Sequence, residues 1–132
     1  MATVRKDIHV STDAEAVWDA IRDIGALHTR LVPGFVVDTR LEDNTRVVTF
    51  QNGNVVREPI VALDEDRRRL VWTVEGLLST HYNASVQVKP EGTGSHIVWT
   101  ADFLPDSIHG EIEQAMEAGA RAMQAKLNQR RR

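Results

Sequence analysis

The sequence predicts an α+β fold: a curved antiparallel sheet of about seven strands wrapped around one long C-terminal helix, with two short helices after the first strand. Three observations carry this expectation. The chain closes on a helical stripe, Ile108, Ile112, Ala115, Met116, Gly119, Met123 and Leu127, recurring every three or four residues. Its middle is a run of short alternating segments divided by tight turns, the pattern of an antiparallel meander. A sheet with one apolar face must be covered, and the long helix is the element large enough to cover it.

In order, residues 3–10 alternate, with Val4, Ile8 and Val10 on one face and Arg5, Asp7 and His9 on the other, which predicts a half-buried strand. Ser11 or Thr12 then caps a helix, and Glu15, three residues after Thr12, fits a capping box. That helix runs to about Asp23 with Val17, Trp18, Ile21 and Ile24 inward, and Gly25 stops it. Residues 26–31 predict a second short helix, ended by Pro33 and Gly34. Strands follow at 35–41 and 46–51 around a polar turn. Asn52-Gly53 is the strongest hairpin signal, because a tight two-residue turn needs positive φ at both central positions. Residues 55–63 form the next strand, 64–69 a charged turn, and 70–75 another strand with Leu70, Trp72 and Val74 on one face. Residues 76–80 lead into the closing pair, 81–89 and 95–104, and the long helix starts at Pro105-Asp106.

At 132 residues, 42% hydrophobic and 27% charged, the chain predicts a single domain spanning 1–132 with a core of its own. The formal charge of −3, without a basic stripe bearing aromatics, argues against a nucleic-acid partner. Arg67-Arg68-Arg69 and Arg130-Arg131-Arg132 read as a solvated turn and a solvated terminus. There is no cysteine, which excludes disulfides and cysteine–zinc sites and fits a reducing compartment. No apolar run reaches the length that crosses a bilayer. The expectation is a cytoplasmic protein, monomeric or homodimeric, without a cofactor.

A curved sheet gripping one helix leaves space between them, and such gaps become apolar pockets. Tyr82, the sole tyrosine, shares an inward face with Ala84, Val86 and Val88; its phenol suits either ligand orientation or a core hydrogen bond. Trp72 and Trp99 fall on inward faces, as pocket wall or as core. Trp18 reads as packing. Met116 and Met123 adapt to irregular contents and, with Ile112, Gly119 and Ala120, can floor a pocket; the small residues can equally draw the helix onto the sheet. Glu58 shares a face with Val56, Ile60 and Ala62, but the opposite face is also apolar, so alternation leaves its side open, cavity or surface. His9, His81 and His96 point outward, His109 opens the last helix, and no histidines show metal-ligand spacing. His28 lies where the short helix meets the expected pocket entrance and is a candidate acid, base or ligand donor. No serine sits in a nucleophile elbow, and no glycine-rich phosphate loop is present.

Three segments, DAEAVWDAIRDIGAL, REPIVALDEDRRRLVWTV and HYNASVQVKPEGTGSHIVWTADFLPD, in this order and spacing, resemble the START/Bet v 1-like (SRPBCC) superfamily in its polyketide cyclase/dehydrase-like branch. The likeness covers essentially the whole chain. It implies a helix-grip fold around an apolar cavity, in a superfamily of lipid carriers, hormone receptors and aromatase/cyclases, so fold does not settle function. The stretch from Glu58 to Asp64 is similar to the plant abscisic-acid-receptor pattern, which implies a cavity-facing Glu58; the position similar to Tyr82 lines the cavity there. The expected function is binding of a small, largely apolar or aromatic ligand, a lipid, polyketide or aromatic metabolite. Tyr82 and Glu58 would orient its polar group, with Trp72, Trp99, Phe35, Ala84, Ile112, Met116 and Met123 in contact. The alternative is a cyclase, dehydratase or aromatase using Tyr82, Glu58 and His28 as acid–base groups. A protein-interaction module is a third reading.

Overall fold

Strand alternation and tight turns do build a single antiparallel meander. A computed structural model describes residues 1–76 and 78–129, so the terminal arginines 130–132 lie outside the described residues. The strands are β1 (Ala2–Val10), β2 (Val36–Glu42), β3 (Thr45–Phe50), β4 (Val55–Asp64), β5 (Arg69–Thr73), β6 (His81–Glu91) and β7 (Gly94–Leu104). They form a seven-stranded sheet in the order β1-β7-β6-β5-β4-β3-β2. Consecutive strands pair as hairpins from β2 to β7, and the first strand closes onto the last, from Ala2↔Phe103 to Val10↔Ser95.

Helix α1 (Ala14–Arg22) follows β1. Its cap is Asp13, whose carboxylate accepts from the Ala16 N–H, and not Ser11 or Thr12. Those two side chains are claimed elsewhere: Thr12 Oγ1 donates to the Leu127 carbonyl, and Ser11 Oγ donates to Asn128 Oδ1 at 3.1 Å. They tie the start of α1 to the far end of the last helix. Trp18 is buried as packing, with its indole N–H donating to Glu65 at 2.8 Å. The second short helix is two tighter and wider turns, a 3-10 turn at Ile24–Ala26 and a π turn at Leu27–Leu31.

The β3–β4 hairpin differs from the expected two-residue turn. Phe50 N–H donates to the Asn54 carbonyl and Gly53 N–H to the Phe50 carbonyl, so Gln51, Asn52 and Gly53 all lie in the loop. Within it only Gly53 has positive φ, at 89°. The register is therefore set around Asn52, with Arg46↔Glu58 and Val48↔Val56 as partners. A bulge between Ile60 and Ala62 then turns Ala62 outward, away from the face of Val56 and Glu58. Phe35 precedes β2 rather than opening it, and β5 ends at Thr73.

The long helix α2 (His109–Leu127) follows a 3-10 turn at Asp106–Ile108. Ile108, Ile112, Met116, Gly119, Met123 and Leu127 are buried as its stripe predicts, whereas Ala115 is exposed. The helix approaches the sheet most closely at β1 and also packs on the Leu27–Leu31 turn, standing off from the middle strands. Lys6 clamps it to that edge, with its Nζ 2.5 Å from Glu113 and 2.8 Å from Glu117. His9 and His96 stack on the outer face with ring centroids 4.6 Å apart. Among the described residues no helix is long and apolar enough to cross a membrane.

Candidate functional site

α2 packs most closely on β1, and space remains between it and the concave face of β3 to β6. A cavity of about 820 Å³ occupies that space. Trp72, Tyr82, Val86 and Trp99 line it from the sheet, and Ile112, Met116 and Met123 from α2. Leu27, Leu31 and Phe35 line it as well. At one end Asn52, Val55, Leu78, Gln114, Ala115 and Ala118 line it while exposed to solvent, so the cavity opens between the β3–β4 loop, the segment before β6 and the outer flank of α2.

The polar part of the wall comes from the β3–β4 register. Arg46 and Glu58 are cross-strand partners on the inner face, and Arg46 Nε donates to Glu58 Oε1 at 2.6 Å. Their side chains are only 3% and 9% exposed. The guanidinium also lies over the Trp72 ring, 5.0 Å from its centroid, where the negative face of the indole stabilises the cation. The neighbouring Arg57 points outward and bonds Glu42 at 2.7 Å. Nothing in the local pattern around Arg46 marks it as a site residue. A two-residue turn at Asn52-Gly53 would set Arg46 opposite Pro59, on the face away from Glu58. One extra loop residue reverses that face. Counting outward from Asn52 instead of from the Asn52–Gly53 bond is the signal that finds it.

Tyr82 is buried and stacked on Phe103, with centroids 5.8 Å apart and planes 18° from parallel. Burial, reinforced by the charge of Glu58, raises the phenol well above its ordinary 10.0, so it stays neutral and can donate. Among the described residues its hydroxyl meets no protein partner, and no backbone carbonyl takes the core hydrogen bond considered from the sequence.

The remaining candidates divide. Trp72, Trp99, Phe35, Ile112, Met116 and Met123 line the cavity. Ala84 is buried but does not; its register places it between Trp72 and Ala101. His28 sits half-buried in the π turn, outside the lining, and its buried Nδ1 lacks a partner. The leucines on either side, Leu27 and Leu31, face the cavity in its place. Gly119 shows why both readings of the small helical residues apply. A Cβ there would lie 2.9 Å from the Trp99 ring and 3.1 Å from the Phe35 ring, so two aromatic rings rest directly on the helix backbone. The cavity lies alongside that contact.

A family model described as polyketide cyclase / dehydrase and lipid transport matches residues 1–131. No curated protein matches the chain. Among solved structures it is similar to a START superfamily protein from Mycobacterium smegmatis, with TM-score 0.76 and 14% identity over 95% of this chain and 96% of that one. It is similar to Ara h 8.0201, with TM-score 0.74 and 19% identity over 96% and 97% of the two chains. It is also similar to a norcoclaurine synthase point mutant from Thalictrum flavum in complex with a transition-state analogue, with TM-score 0.71 and 19% identity over 96% and 93%. At these identities the structural likeness is one of fold. The sheet, the long closing helix and the family match over almost every residue together make this chain a member of the polyketide cyclase/dehydrase and lipid transport family, with the START/Bet v 1-like fold.

Proposed function

We propose that the protein binds a small, largely apolar molecule, a lipid, polyketide or aromatic metabolite, in the cavity between the sheet and α2. The observation that carries this reading is the cavity of about 820 Å³, walled mainly by aromatic and aliphatic side chains, with the Arg46–Glu58 pair in the sheet wall and Glu111, Gln51, Asn52, Asn54 and Gln114 as its other polar lining. Its volume lies in the range of small-ligand sites, roughly 300–1,000 Å³. Trp72, Trp99, Phe35, Met116 and Met123 supply the apolar contact, and Tyr82 with Glu58 orients the ligand's polar group. Glu58 is already engaged by Arg46, and His28 stands outside the lining, so Tyr82 is left without a free acid–base partner. That arrangement supports binding over ring-closing catalysis.

Titration with apolar aromatic probes, beginning with 2-ethylnaphthalene, tests the reading. Two of the three tryptophans, Trp72 and Trp99, face the cavity, so saturable quenching of intrinsic fluorescence is expected. It should be accompanied by a rise in unfolding temperature as ligand exceeds Kd. Absence of saturable binding across a panel of naphthalenes, fatty acids and polycyclic ketones would remove the proposal.

A further inference from the structure

The charged pair in the cavity wall is balanced within itself yet incompletely hydrogen-bonded, and we propose that it selects a neutral oxygen acceptor, such as a ketone, ester or amide carbonyl, on an apolar body and rejects the matching carboxylate. This rests on the ligand-binding reading above and names the chemistry of its polar subsite.

Arg46 uses one N–H, at Nε, for Glu58. Among the described residues no protein acceptor takes a hydrogen bond from either Nη, although the side chain is 3% exposed and lines the cavity. Guanidinium nitrogens only donate. Tyr82 adds a hydroxyl kept in its neutral, donating form. This part of the wall therefore offers several donors to the cavity. These donors are reachable from the cavity, so an apolar ligand that displaces water from them must leave them unpaired, which is unfavourable, unless it supplies an oxygen acceptor. The sign of the ligand's charge then decides which oxygen. Glu58 already neutralises Arg46, so a carboxylate would bring a second negative charge beside Glu58 where little water screens it, and would surrender its own hydration. A carbonyl takes the same hydrogen bonds without either penalty.

Three probes on one naphthalene body separate these effects: 2-ethylnaphthalene, 2-acetylnaphthalene and 2-naphthoate, titrated calorimetrically at neutral pH. The wild-type protein should bind 2-acetylnaphthalene roughly tenfold more tightly than 2-ethylnaphthalene, the gain from a hydrogen bond to a charged donor. It should bind 2-naphthoate at least about tenfold more weakly than the ketone. Glu58→Gln keeps the shape and removes the compensating charge, so 2-naphthoate should become the tightest of the three. A merely structural role for Glu58 would not invert the order. If Glu58→Gln does not fold, the paired replacement Arg46→Met with Glu58→Met removes both charges and leaves only the Tyr82 hydroxyl as donor, so the ketone preference should fall several-fold; an undiminished ketone preference overturns the assignment. Wild-type protein that binds 2-naphthoate as tightly as the ketone also overturns it. Equal binding of ethyl and acetyl probes leaves the cavity standing and removes this inference; failure of all three removes it too, and the ligand-binding reading itself falls only when the fatty acids and polycyclic ketones of the wider panel also fail to bind.

Discussion

Arg46 and Glu58 form an ion pair with little access to water, and the burial of each charge is offset chiefly by the other. Removing one partner of such a pair costs about 3–5 kcal/mol, because the survivor keeps its charge without compensation. The Trp72 face beneath the guanidinium and the β-ladder register around Asn52 fix the geometry that makes the pair tolerable. Glu58 and Tyr82 were reachable from the sequence, the first through the Glu58–Asp64 likeness and the second through alternation with Ala84, Val86 and Val88. Arg46 was not, because its face depends on one loop residue and not on its own neighbours. Tyr82 carries a prediction at this scale. Its folded pKa lies above the unfolded value of 10.0, so its contribution to stability is complete below that pH and is lost as pH rises toward the folded value. As the sole tyrosine, it reports alone in tyrosinate absorbance. Ionisation should begin only above pH 10.0 and coincide with loss of native structure. The alkaline fall in urea midpoint should be shallower in Tyr82→Phe. A native-state titration centred at 10.0 would show instead that the hydroxyl is freely solvated.

Among the elements, the strands were the most legible, since alternation and turn residues act locally. Boundaries were lost where a distant partner intervened. Thr12 fits the pattern of a helix cap, but the Leu127 carbonyl takes its hydroxyl, and Asp13 caps α1 instead. Ala62 shares its parity with Glu58, but the bulge after Ile60 breaks that parity. The sequence puts His28 where a short helix over 26–31 meets the expected pocket entrance. The wider π turn gives the cavity to Leu27 and Leu31. In α2 the informative position is Gly119. Alanine in a helix interior is favoured over glycine by about 1 kcal/mol. Here its methyl would press on the Trp99 and Phe35 rings, and overpacking of that kind costs roughly 1–3 kcal/mol. Gly119→Ala should therefore lower the unfolding temperature despite its better helix propensity. It should also shift the tryptophan emission as the Trp99 ring moves. A stabilised variant with unchanged emission would mean that the rings yield without strain.

For the whole molecule, the cavity arises from where the long helix is fastened. Lys6 with Glu113 and Glu117, and Thr12 with the Leu127 carbonyl, hold α2 along the β1 edge, and the cavity lies between the helix and the middle strands. The topology was legible because a meander followed by one amphipathic helix has few ways to bury its apolar faces. The volume was not, since it is the small difference between the space under the sheet and the side chains that enter it. Val86 measures that difference directly. It lies in β6, only 2% exposed, and faces the cavity. In a filled core Val86→Phe would overpack and lose roughly 1–3 kcal/mol. In an open cavity the added ring finds room and removes apolar surface from water. Stability should then hold or rise by about 1 kcal/mol, a few degrees in unfolding temperature. The same ring occupies space a ligand needs, so affinity for 2-acetylnaphthalene should fall by roughly tenfold or more, the cost of overpacking now borne by the complex. Calorimetric unfolding and ligand titration on one variant thus give opposite signs if the space is a binding cavity. A loss of stability with unchanged affinity would place Val86 in ordinary core.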